Sequence, residues 1–129
     1  MPMSVARIGT FEEFWPYYLG EHRSPLCRGL HYVGTSMALG SVAAAVLTMN
    51  PFWLVAAPIA GYGPAWFAHF VVEKNRPATF TYPRWSLLAD FKMFGLAVRG
   101  KMGAEMRKHY GSAHPAKDAP RANAGASLA

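Results

Sequence analysis

The chain has 129 residues, enough for one domain, and is 52% hydrophobic with a formal net charge of +6. Its basic residues gather beside a long charge-free stretch and in residues 99–108, not interleaved with exposed aromatics, which excludes nucleic acid as a partner and favours anionic lipid headgroups. A single cysteine, Cys27, excludes an internal disulfide and suits a reducing compartment.

The first ten residues are short and polar and show no cleavable leader pattern. "TFEEFWPYYLGEH" then predicts a helix. Thr10 and Glu13 match a capping box, and Phe11, Phe14, Trp15, Tyr18 and Leu19 form an apolar, aromatic face suited to a membrane interface. Pro16 is expected to kink or split it. Pro25, in the connector that follows, separates His22 from His31, so these two need not obey the spacing of one helix.

Residues 32–72 contain no Asp, Glu, Lys or Arg, a run of 41. A membrane-spanning helix needs about 20 apolar residues, so the run accommodates two spans and a turn. Asn50–Pro51 supplies the turn, because a residue before proline is pushed out of helical geometry. The expected fold is therefore all-α: a membrane-embedded hairpin over 30–49 and 52–72 with flanking amphipathic or interfacial helices, together a small bundle. A buried hairpin in a soluble bundle is the alternative, but a small domain rarely covers two helices on all sides. Arg23, Arg28, Lys74, Arg76 and Arg84 flank the open end and none lies at the turn, which predicts an integral membrane protein with both termini in the cytoplasm. Tyr62, Trp66 and Phe70 read as an interfacial belt.

"NRPATFTYPRW", with two prolines, must be a loop, and "SLLADFKMFGLAV" a fourth helix, capped by Ser86, lying at the interface or slightly re-entrant because of Asp90 and Lys92. His109 and His114 fall after this last helix as bystanders. Residues 1–110 form the domain and 111–129, with no apolar period, a disordered tail.

If two antiparallel helices turn near Asn50, residues equidistant from it share a depth. His31 and His69 each lie nineteen residues away, roughly 28 Å at 1.5 Å per residue, which is the hydrocarbon boundary. Glu73 follows His69 at i, i+4 on one helix face, and His22 just precedes the first span. His22, His31, His69 and Glu73 can thus converge at the hairpin mouth, with Asp90 and Glu21 nearby, as a nitrogen and oxygen ligand set suited to iron, manganese or zinc. Each residue also has a plainer role. His22 fits a surface position beside Glu21, His69 an interfacial ring bonded to a backbone carbonyl, and Glu73 a solvated partner of Lys74 or Arg76.

"YYLGEHRSPLCRGLHYVGTS" followed by "GYGPAWFAHFVVEKNRPATFTYPRWSLLADFKMF" resembles the small membrane-bound 2-hydroxy fatty acid dioxygenases, over residues 11–100. The resemblance implies an iron(II)-dependent enzyme that uses O2 to shorten a 2-hydroxy fatty acid by one carbon. It implies that His22 in "EH", His31 in "LHY" and His69 in "AHF" hold the iron, with Glu73 in the same matched run. Cys27 departs from the pattern, where Asn before the arginine is expected. Under this reading Arg76 or Lys74 binds the substrate carboxylate, Asn75 caps the second span, and Asp90 orients a ligand histidine through its second ring nitrogen, with Glu21 beside it in the outer shell of the site. Arg76 fits equally a role in fixing the loop and contacting lipid phosphate. Two other functions stay open: a zinc-dependent membrane hydrolase, and a non-enzymatic scaffold or lipid-binding module. Association into a homo-oligomer is compatible with a small hairpin protein.

Overall fold

A computed structural model describes residues 8–116, 119 and 120. All regular structure among the described residues is helical: α1 (Phe11–Gly20), α2 (Pro25–Thr48), α3 (Phe52–Phe67) continued by a π-helical segment (Ala68–Glu73), a 3₁₀ turn (Ala78–Phe80), α4 (Pro83–Val98) and α5 (Met102–Tyr110). The fold is the expected small helical bundle with a hairpin.

Helix α1 starts as its capping residues dictate, with Thr10 Oγ1 accepting from Glu13 N at 3.2 Å. Pro16 neither splits nor ends it; the carbonyl freed by the missing N–H is that of Glu12, which is exposed and open to water. The aromatic face turns inward. Phe14, Trp15, Tyr18 and Leu19 are buried against Ala89, Met93 and Leu96 of α4 and Met102 and Met106 of α5. Trp15 Nε1 donates to Glu105 Oε2 at 2.7 Å, and Tyr110 Oη donates to Pro16 O at 2.8 Å, pinning α5 across α1.

Helix α5 is not among the expected elements, and His109 lies on it, 3.3 Å from Glu105. Helix α4 begins at Pro83 rather than at a Ser86 cap. Proline suits a first helical position because its absent N–H would lack a partner there, and Ser86 is instead buried 3.0 Å from Thr79 Oγ1. Helix α2 likewise starts earlier than the charge-free run suggests, with Pro25 in its first turn and Ser24 Oγ accepting from Leu26 N at 3.2 Å.

Helix α2 ends at Met49 in left-handed geometry (φ 55°), and Asn50 Oδ1 accepts from Phe52 N at 3.0 Å, so the Asn-Pro turn forms where expected. The hairpin closes on small residues. Gly34, Ser41 and Ala45 of α2 are buried, as are Ala57 and Ala65 of α3, and a Cβ on Gly34 would lie 2.5 Å from the Gly61 carbonyl oxygen. Large side chains point outward instead: Val46, Leu47, Leu54, Val55 and Ile59 are exposed. The segments 25–48 and 52–73 are long and apolar enough to cross a membrane.

Candidate metal centre

The hairpin brings together the histidines that spacing placed at one depth. The rings of His31 and His69 lie 4.9 Å apart between centroids, and His22, on the connector after α1, stands 4.4 Å from His31 and 4.5 Å from His69. All three are buried. Neither plainer role, surface for His22 or backbone-bonded for His69, fits this arrangement.

Each ring has one nitrogen held by an oxygen. His22 Nδ1 lies 2.6 Å from Tyr18 O, a carbonyl at the end of α1; His31 Nδ1 lies 2.8 Å from Cys27 O; and His69 Nδ1 lies 2.7 Å from Asn75 Oδ1. The Asn75 amide is itself oriented, since its Nδ2 donates to Glu21 O at 3.1 Å and so leaves Oδ1 for His69. A carbonyl oxygen can only accept, so each Nδ1 carries the proton and each Nε2 a lone pair. Yet His22 Nε2 and His31 Nε2 are 3.1 Å apart. Two lone pairs facing at that distance repel unless a cation lies between them. Metal–nitrogen bonds of about 2.0–2.1 Å place two ligand nitrogens roughly 3.0–3.4 Å apart, so the donor set fits a metal ion. Burial first, then the neighbouring His31 and His69, holds the His22 imidazole well below its usual pKa and keeps it neutral.

The π-helical segment carries His69 and Glu73 into the interior, both 3% exposed. A wider turn at this point is a common feature of functional sites. Glu73 does not share the histidine cluster. Its Oε2 accepts from Ser24 N at 2.5 Å, tying the π segment to the connector that carries His22, so it is no solvated charge. Arg28, buried, reinforces that connector by donating to His22 O and Arg23 O, both at 2.8 Å. Arg28 Nη2 also donates to Ala113 O, and Arg23 to Ala116 O and Ala119 O, so the described start of the predicted tail rests on these arginines; 117, 118 and 121–129 lie outside the described residues.

Cys27 belongs to the ligand-bearing group, whose donor atoms all lie within 4.8 Å of one another. Its Sγ stands 3.9 Å from His31 Nδ1. Its i, i+4 spacing to His31 was the available signal. The role expected of Asp90 is not realised: with all three Nδ1 atoms taken, it orients no histidine and instead accepts a hydrogen bond from Tyr18 Oη. Tyr18 in turn stacks on His22 at 4.0 Å between centroids. Glu21 contributes its backbone carbonyl to Asn75. Arg76 is exposed with its guanidinium over Phe80 at 5.1 Å, and Lys74 is exposed in left-handed geometry at the end of the π segment.

The Asn75 side chain, expected as a helix cap, supports His69. Replacing Asn75 with Ala removes the acceptor that fixes His69 in its ligating tautomer. Metal affinity is expected to fall roughly 10- to 100-fold, measured by chelator competition, with the metal-free fold retained.

An apolar cavity of about 250 Å³ opens beside His31, between α2, α3 and α4. Three buried imidazoles with committed tautomers, held at the mouth of an apolar helical hairpin with His31 lining this cavity, form a cluster that could hold a metal ion beside an apolar space. The family model described as 2-hydroxy-palmitic acid dioxygenase Mpo1-like matches residues 8–102, and the chain belongs to that family. No curated protein and no solved structure matches the chain.

Proposed function

We propose that the protein is an iron(II)-dependent dioxygenase that shortens 2-hydroxy fatty acids by one carbon, embedded in a membrane with both termini cytoplasmic. The observation that carries this reading is the convergence of His22, His31 and His69 through unprotonated Nε2 atoms beside an apolar cavity, in a chain of this family. Nitrogen ligands with open positions suit non-haem iron. Iron(II), when bound, supplies the redox chemistry between the 2-hydroxy acid and O2. The conversion balances without an outside reductant: one acid and one O2 give the acid one carbon shorter, one CO2 and one water.

The chain's own residues do the placing. Tyr18 O, Cys27 O and Asn75 hold the three rings, while Glu73 and Arg28 hold the connector that bears His22. The cavity accepts the start of the acyl chain along Ala38, Ala57 and Gly61. Exposed apolar residues of the hairpin meet lipid, and Lys74, Arg76 and Arg84, exposed at its open end, meet anionic headgroups. Arg76 or Lys74 is the candidate for drawing in the fatty acid carboxylate, although neither lines the cavity.

Purified protein given 2-hydroxypalmitate is expected to consume oxygen only with added iron(II) and to release the fifteen-carbon acid (one carbon fewer than palmitate). Folded, iron-loaded protein that consumes no oxygen, or that hydrolyses an ester with zinc instead, overturns the reading.

A further inference from the structure

We propose that Asp90, held in place by Tyr18, is the residue that recognises the 2-hydroxyl of the substrate and so separates 2-hydroxy from ordinary fatty acids. The inference rests on the reading above and extends it to specificity.

Asp90 lines the same cavity as His31, across from Thr35, Gly61 and Tyr62, and it is the cavity's only carboxylate; no Lys or Arg lines it. Its Oδ1 takes the Tyr18 hydroxyl, and no described residue bonds Oδ2. Tyr18 stacks on His22, so the carboxyl sits within one tyrosine's length of the histidine cluster. A head group bound at the cluster with its chain in the cavity therefore passes Asp90 at its first carbons.

Beyond accepting the Tyr18 hydroxyl through Oδ1, the carboxyl has no further structural task. It orients no ring, and the one ion pair among the described residues is His109 with Glu105. Burial pushes it up to about 7, so it exists in both protonation states near neutrality. In either state it can share a hydrogen bond with a hydroxyl, accepting when ionised and donating when protonated. A fatty acid without the hydroxyl leaves this desolvated oxygen unpaired, and such a loss discriminates far more strongly than a missing methylene does.

The test measures binding, not turnover. The full chain in lipid nanodiscs, metal-free and separately iron(II)-loaded without oxygen, is titrated with 2-hydroxypalmitate and with palmitate against a fluorescent fatty acid. The metal-free wild type is expected to favour the hydroxy acid by roughly 10- to 100-fold. Asp90→Ala is expected to reduce that ratio at least about tenfold in both forms. Asp90→Leu combined with Tyr18→Phe replaces both partners by apolar groups of similar size, which keeps the packing intact, and is expected to show the same loss. A metal-free wild type without preference, or variants that retain the wild-type ratio, overturns the proposal. A failed oxygen-uptake assay overturns the dioxygenase reading alone, because the binding ratio is read without turnover.

Discussion

Replacing His69 with alanine is expected to weaken metal binding by more than about 100-fold while the helical fold survives. Loss of an outer partner to a ligand histidine already costs roughly 10- to 100-fold, and removing the ligand itself must exceed that. His69 is also the one member of the cluster contributed by the π segment, so no nearby side chain on that element replaces it. Metal content after dialysis, chelator competition and thermal unfolding of the metal-free protein together check the outcome. His114→Ala, at an exposed position outside the cluster, serves as control. A His69→Ala protein that holds iron as tightly as the wild type would remove the cluster from the mechanism.

Gly34→Ala is expected to destabilise the protein by about 1–3 kcal/mol, the usual range for overpacking. The added methyl would stand 2.5 Å from the Gly61 carbonyl oxygen, and a backbone atom cannot swing aside as a side chain can. The helices must separate. His31 lies less than one turn from Gly34 while His69 rides on the opposite arm, so separation also spreads the ligands, and metal affinity should fall with the melting temperature. Gly40→Ala on the same helix, where a Cβ meets nothing within 4 Å, should leave metal affinity unchanged and the melting temperature unchanged or slightly raised, since alanine favours a helix interior over glycine. Equal melting temperatures for the two variants would mean that the arms do not cross as closely as described.

Much of this site was legible before any coordinates. The charge-free run and its Asn-Pro break set the hairpin, and equal distances from Asn50 set His31 and His69 at one level. The rest depends on contacts that no local pattern encodes. Pro25 reads as a breaker in a string, yet it opens α2 because Ser24 precedes it with a free hydroxyl. Ser86 has the composition of a cap but is buried, because Pro83 had already begun the helix. The π segment leaves no compositional trace, so the i, i+4 pairing of His69 and Glu73 predicted a shared face, whereas Glu73 turns to Ser24. Asn75 became visible as a support only once Glu21 was seen to fix its amide.

The sequence by itself determined the helical class, the apolar hairpin and the three histidines, because hydrophobic runs, breakers and ligand-type residues are properties of the string. Tertiary structure alone decided which nitrogens face one another, that Asp90 lines the cavity and bonds Tyr18 and not a histidine, and that the aromatic face of α1 packs against α4 and α5. The physical reason is that tautomers, hydrogen-bond partners and burial are set by whichever groups arrive from distant parts of the chain, and their arrival is a consequence of packing.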